Sequence, residues 1–153
     1  MNSPKVLLRI HKLITLGAAA SAVFAAQAPS TAALPVLQPP PKYPRDEATL
    51  AQGRTGFTQL CASCHTLDRD GIGPPLGAVT RILTQAELLR HIRDPAAVIA
   101  AGNLRANALF QRYKVVMPPF GSLPEDQLVA ILAHLDSETE KSKLTPFAVE
   151  LTP

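Results

Sequence analysis

The sequence has few of the residues that large cores and covalent scaffolds require. Its 153 residues include no Trp, two Tyr, five Phe and two Cys. A single pair of cysteines cannot supply the several disulfides that hold many small secreted domains together. Positive charge is barely in excess, with 15 Lys and Arg against 12 Asp and Glu, and no Lys/Arg-rich run occurs. Because the chain has no basic stripe, we expect no nucleic-acid partner.

The first 25 residues have the features of an export signal. Lys5, Arg9 and Lys12 form a positive start, and an apolar, Ala-rich run follows over residues 13–26. The run is shorter than the ~20 apolar residues that a membrane-spanning helix needs. We therefore predict a signal peptide over residues 1–25 and a periplasmic protein. The alternative is an uncleaved N-terminal segment that anchors the protein to the membrane.

Residues 26–45 have the composition of a linker. The stretch contains six prolines, which favour extended polyproline backbone and resist packing. We predict a Pro-rich linker over 26–45, a folded domain over 46–137 and a C-terminal tail over 138–153. A disordered leader with no role is the alternative interpretation of the linker.

Capping residues and apolar spacing predict four short helices and no strand in the folded domain. The predicted helices begin near Asp46, Thr84, Asn103 and Ser122. Thr84 is followed by Glu87, and Ser122 by Glu125, at the spacing of a capping box. The expected fold is all-α. Its core is thin, so we expect a bound group to complete it.

The pentapeptide Cys61-Ala62-Ser63-Cys64-His65 has the pattern of covalent haem attachment. Two thiols must reach two vinyl groups of one macrocycle, and the next side chain must offer a neutral imidazole to the iron. This spacing places all three groups on one helical turn. We predict one haem c, attached through Cys61 and Cys64, with His65 as an axial ligand. A redox-active dithiol lacks its βαβ context and a zinc site lacks further ligands, so both are weaker interpretations.

Met117 is the predicted second axial ligand. The only other Met is the initiator, and a Met before two prolines in a loop is poorly placed for core packing. A gap-filling core Met is the alternative. His91 and His134 are rival ligands. We expect His91 to be a surface residue paired with Glu87. His134 flanks the apolar face of the last helix, and we expect it to pack there.

The folded stretch resembles the class I mono-haem c-type cytochromes. The resemblance is carried by Gly53 and Phe57 before CASCH, by Gly73-Pro74-Pro75-Leu76, by Met117-Pro118 and by the final amphipathic helix. It implies the small cytochrome c fold, wrapped around one covalently bound haem, with Gly53 allowing the first and last helices to approach closely. It also implies that the carbonyl of Pro74 accepts a hydrogen bond from the His65 ring, which makes the imidazole a better donor.

The sequence departs from this family in two places. The family usually has an aromatic residue in the final helix where this chain has His134, which predicts a weaker helix contact. The chain has no Trp to contact a haem propionate, which leaves Arg81, Arg105 and Tyr113 as candidate partners.

The predicted function is single-electron transfer, not enzymatic catalysis. Iron held by His65 and Met117 has no open position for a substrate, and the soft thioether favours the ferrous state. The run from Met117 to Phe120 and the helix from Leu88 to Pro95 resemble cytochromes that serve periplasmic dehydrogenases. This resemblance implies a dehydrogenase as donor and an oxidase or another cytochrome as respiratory acceptor. The alternatives are a haem subunit fixed in a dehydrogenase complex, and a haem sensor with an open iron site.

Overall fold

The computed structural model describes residues 43–151 of the chain. This part of the chain contains six α-helices, joined by loops, and no strand. The helices are α1 (Glu47–Leu60), α2 (Val79–Ile82), α3 (Gln85–Arg93), α4 (Pro95–Ala100), α5 (Leu104–Tyr113) and α6 (Glu125–Ser142). The predicted all-α fold is confirmed. The predicted signal peptide and most of the predicted linker lie outside the described residues. Within 43–151, no helix has the length and apolar character to cross a membrane.

Three helices begin where the sequence predicts. The Asp46 side chain caps α1 by accepting a hydrogen bond from a first-turn backbone N–H. Thr84 and Glu87 form the predicted capping box at the start of α3. Asn103 caps α5 in the same way as Asp46 caps α1. Each cap satisfies backbone donors that have no partner inside the helix.

The predicted start of the last helix at Ser122 is wrong. Helix α6 begins at Glu125, and its N-cap is Pro124, which makes no side-chain hydrogen bond to the helix. A residue before proline is disfavoured in helical conformation, so Leu123 cannot continue a helix that starts at Ser122. Glu125 instead lies in the first turn of α6, where its negative charge interacts favourably with the positive end of the helix dipole.

The sequence pattern does not predict two of the helices, α2 and α4. They contain four and six residues, which is too few to give a periodic apolar pattern. In the structure Asp94 caps α4 and Pro95 is its first residue, a position where the missing backbone N–H has no cost.

Helices α1 and α6 make the most extensive contact in the described chain. Gly53 and Gly56 are buried at this contact. A Cβ atom at Gly53 would overlap the backbone carbonyl of Ala130, and one at Gly56 would lie 2.9 Å from Cγ1 of Ile131. The two helices therefore approach at a distance that only glycine permits. The close approach expected at Gly53 is present.

His134 supplies a ring at the α1–α6 contact, where the family that the sequence resembles usually has an aromatic residue. Its ring centroid lies 5.7 Å from that of Phe57, with the planes tilted by 55°. The residue is 7% exposed. Burial is the main cause that lowers the pKa of His134, so the ring is neutral at pH 7. The prediction that His134 packs at the apolar face of the last helix is confirmed.

The segments next to the predicted domain also contact α6 or extend it. Tyr43 is 4% exposed and belongs to the core. Arg45 forms ion pairs with the buried Asp136 and, at 2.9 Å, with Glu140. At the other end, α6 continues to Ser142, into the predicted tail. The packed structure therefore includes residues on both sides of the predicted 46–137 range.

We expect Gly53→Ala to lower the free energy of unfolding by about 2–3 kcal/mol, because the added methyl group forces α1 and α6 apart. Denaturant unfolding followed by far-UV circular dichroism measures the change. Gln52→Ala, at an exposed position of the same helix, is the control and should change stability by less than about 0.5 kcal/mol. Equal stability of the two variants would contradict the close helix contact.

Candidate functional site

A mainly apolar cavity lies between α3, α5 and α6 and is bordered by the loops that follow α1 and α5. Its apolar wall includes Leu88, Ala106, Phe110, Leu128, Leu132 and Leu135. Leu128 and Leu132 are 0% and 1% exposed and are also the centre of the hydrophobic core. The cavity and the core therefore share one set of side chains, and a group bound in the cavity would pack directly against the core.

The CASCH pentapeptide follows α1 directly as a tight turn. The backbone N–H groups of Cys64 and His65 donate to the carbonyl of Cys61, at 3.1 and 2.9 Å. Both cysteines are free, and both border the cavity together with His65. The turn thus brings two thiols and an imidazole to one wall, as the spacing of the pentapeptide predicts.

The electrostatic environment of Cys61 does not suit a reactive dithiol. Burial, and to a lesser extent the nearby Cys64, raise the pKa of the Cys61 thiol to about 11. At neutral pH this thiol is protonated, whereas a redox-active pair needs a thiolate with a lowered pKa. The alternative interpretation as a disulfide oxidoreductase therefore gains no support.

The His65 ring is held by the loop at residues 70–77. Its Nδ1 lies 2.7 Å from the carbonyl oxygen of Pro74 and donates a hydrogen bond to it. Donation from Nδ1 leaves Nε2 with a lone pair for a metal. Gly73 makes this approach possible, because a Cβ atom there would overlap the imidazole ring. The backbone of this loop thus fixes the orientation of the ring.

Met117 borders the same cavity from the loop that joins α5 to α6. The side chain is half-buried. Further along this loop, the backbone N–H of Phe120 donates to the carbonyl of Ile92 at 3.0 Å. This bond ties the loop to α3, and the two prolines after Met117 restrict its backbone. His65 and Met117 therefore reach the cavity from two separate loops.

The predicted surface pair of His91 and Glu87 is wrong. The carboxylate of Glu87 accepts hydrogen bonds from the backbone and hydroxyl of Thr84, in the capping box. His91 is half-buried and borders the cavity. Burial, followed by the positive charge of Arg105, lowers the pKa of His91, so its ring is neutral at pH 7. Sequence spacing could not show this, because it does not fix which face of α3 meets the cavity.

Side chains that can bind the carboxylates of a haem also border the cavity. Two of the three candidate propionate partners, Arg105 and Tyr113, border it, and so does Arg90, which is not among the candidates. No pattern distinguishes Arg90 from the other arginines of the chain. Arg81 is instead paired with Asp136 and Glu140 on α6 and does not border the cavity.

The residues of this site fit a haem. Two thiols on one turn suit two vinyl groups, a neutral imidazole suits the iron, the apolar wall suits the ring, and the arginines suit the carboxylates. Within the described residues, no three His, Cys, Asp or Glu side chains come together to hold a metal ion directly. The zinc interpretation therefore gains no support either.

Comparison with known proteins agrees with this fit. The profile of the family described as cytochrome c matches residues 50–139. No curated protein matches the chain.

Solved structures of cytochromes c share the fold. A cytochrome c from Rhodothermus marinus is 30% identical, with a match that covers 70% of this chain and 90% of that protein at a TM-score of 0.59. An engineered form of the Rhodothermus protein is 31% identical, covering 69% and 90%, with a TM-score of 0.58. A cytochrome c domain from Pseudomonas putida is 31% identical, covering 60% and 91%, with a TM-score of 0.53.

We expect the double variant Cys61→Ser/Cys64→Ser to be largely unfolded, because without attached haem the apolar wall of the cavity is left without its packing partner. Far-UV circular dichroism of the purified variant measures its helix content, which should fall to less than about half of that of the parent. Ser63→Ala keeps both thiols and is the control. Native helix content in the double variant would show that the core is stable without haem.

Proposed function

The chain belongs to the cytochrome c family, and we propose that it carries single electrons through a haem whose iron is ligated by His65 and Met117. The cofactor is haem c, covalently attached, and Cys61 and Cys64 fit the attachment motif. The function of the family is haem-based electron transfer, in which the haem supplies the iron that changes oxidation state.

One observation carries the ligand proposal: His65 and Met117 border the same cavity from different loops. The Pro74 carbonyl occupies Nδ1 of His65 and leaves Nε2 for the iron. Met117 is the one Met within residues 43–151. With both axial positions filled by protein, the iron has no open position for a substrate. The same two ligands can serve both oxidation states, so little has to move during transfer.

The protein side chains set the conditions of transfer. A thioether ligand favours the ferrous state and raises the reduction potential relative to a second imidazole. The apolar wall of the cavity excludes water, and the Pro74 carbonyl holds the imidazole in one orientation. These properties suit an electron carrier and not a haem catalyst.

We further propose that the protein acts in the periplasm, accepts electrons from a dehydrogenase and passes them to a respiratory oxidase or another cytochrome. The support is the run from Met117 to Phe120, which resembles dehydrogenase-associated cytochromes, and the export features of residues 1–25. A haem subunit fixed in a dehydrogenase complex would use the same site. Co-purification with a large catalytic subunit would favour that arrangement, and a freely diffusing monomer would oppose it.

We expect Met117→Ala to abolish the far-red charge-transfer band that a Met thioether gives with ferric haem, and to allow rapid CO binding to the ferrous protein, because the sixth position is then open. Absorption spectra of the two oxidation states and CO mixing measure both effects. Val116→Ala, an exposed neighbour in the same loop, is the control and should keep the band and resist CO.

A parent protein that lacks this band and binds CO rapidly would overturn Met117 ligation and favour the haem sensor. A parent protein without the band that still resists CO would point to His91, a second histidine that borders the cavity.

We expect the rate of electron transfer to depend weakly on salt. Of the 15 basic residues, four precede residue 43, so residues 43–151 carry 11 basic against 12 acidic side chains. Such a balanced domain steers partners weakly, and the rate should change less than about threefold between low and physiological ionic strength. Stopped-flow reduction by a partner at several salt concentrations measures this. A steep fall with added salt would reveal a local charged docking surface.

A further inference from the structure

Four side chains from three separate segments contact one another beside the cavity: Asp70, Arg112, Tyr113 and Phe147. We call this cluster the clasp. Asp70 begins the loop at residues 70–77, Arg112 and Tyr113 end α5, and Phe147 belongs to the C-terminal segment after α6. Tyr113 also borders the cavity itself. No periodic pattern in the sequence relates these four positions.

The polar half of the clasp is a pair of hydrogen bonds to one carboxylate. The Tyr113 hydroxyl donates to Oδ1 of Asp70 at 2.5 Å, and Nη2 of Arg112 donates to Oδ2 at 2.6 Å. These bonds hold the pKa of Asp70 below its usual value. The bond from Tyr113 has the larger effect, and the bond from Arg112 the next largest. The carboxylate is therefore charged at neutral pH, and hydrogen bonds to a charged acceptor are stronger than neutral ones.

The apolar half of the clasp is formed by Phe147. Its ring centroid lies 6.5 Å from that of Tyr113 and 5.0 Å from Cζ of Arg112. The carbonyl of Phe147 accepts a hydrogen bond at 3.3 Å from Arg105, which borders the cavity. The C-terminal segment, predicted from the sequence as a tail, thus packs over the end of α5 and fixes two of its arginines.

The clasp connects the loop that holds the His65 ring to the end of α5, where the loop that carries Met117 begins. Asp70 lies in the loop whose Pro74 carbonyl holds the His65 ring, and Tyr113 lies four residues before Met117. We propose that the clasp holds these two loops together and so limits the opening of the cavity and the release of Met117 from the iron. The release of Met117 rests on the proposed function, whereas the coupling of the two loops does not depend on it. In this role Asp70 and Tyr113 are positioning residues.

The test uses Tyr113→Phe in the haem-containing protein, since this change removes the hydroxyl that binds Asp70 and keeps the ring beside Phe147. Imidazole can bind ferric iron only after Met117 leaves it. At saturating imidazole, the binding rate therefore reports how often the cavity opens. We expect this rate to rise at least about threefold in the variant, the scale set by the loss of one charge-assisted hydrogen bond at a solvent-exposed site.

Amide hydrogen exchange provides a readout that does not depend on the iron ligand. The N–H groups of Gly73 and Phe120, one in each loop, donate to the carbonyls of Cys64 and Ile92. We expect both to exchange faster in Tyr113→Phe, whereas amides in the middle of α6 should be unchanged. A residue that only stabilised the whole fold would instead change the slowest-exchanging amides of α6.

The control is Lys141→Ala, which removes an exposed ion pair of 3.0 Å with Glu138 on α6 and should leave both readouts unchanged. Phe147→Ala tests the C-terminal half of the clasp and should act in the same direction as Tyr113→Phe. Unchanged exchange at Gly73 and Phe120 in both variants would overturn the clasp, even where the far-red band of the parent protein supports Met117 as a ligand. If the parent lacks that band, the ligand proposal fails and the exchange of the two amides still decides the clasp.

Discussion

The contact between Gly73 and the His65 ring is the constraint on which the site depends. Because glycine has no Cβ, the backbone of the 70–77 loop comes close enough for the Pro74 carbonyl to accept a hydrogen bond from Nδ1. That one bond selects the tautomer of the imidazole and fixes the plane of the ring. A side chain at position 73 would displace the His65 ring. His65 and Met117 would then no longer face the cavity in the same relative position.

The orientation of the haem-binding turn depends in turn on the packing of α1. The N–H groups of Cys61 and Ala62 both donate to the carbonyl of Phe57, so the turn continues the helix without a flexible joint. Gly53 and Gly56 fix that helix against α6 at close range. Packing on one face of α1 therefore determines where the thiols point at its end, and a change at the helix contact reaches the cofactor site through a rigid element.

The sequence predicts local chemistry well and relations between distant segments poorly. The helix caps at Asp46 and Thr84 and the CASCH turn depend on neighbouring residues, and all three are present. The environment of His91 was predicted wrongly, because the face that α3 presents to the cavity is set by tertiary packing. The contacts of Asp70 with Tyr113 span 43 residues of chain, and no periodic pattern marks such a pair. The short helices α2 and α4 are not predicted, because four or six residues are too few to show a periodic apolar pattern.

The attachment of residues 43–45 to α6 has a mechanical consequence. Tyr43 is buried in the core, and Arg45 is bound to Asp136 and Glu140, so the chain enters the domain through a fixed point. Neither Tyr43 nor Arg45 borders the cavity. A pull on the preceding segment would therefore reach α6 first, through the ion pairs of Arg45, and not the loops that carry His65 and Met117. An upstream tether, whatever its length or stiffness, would thus join the domain at α6 and not at the loops that carry His65 and Met117.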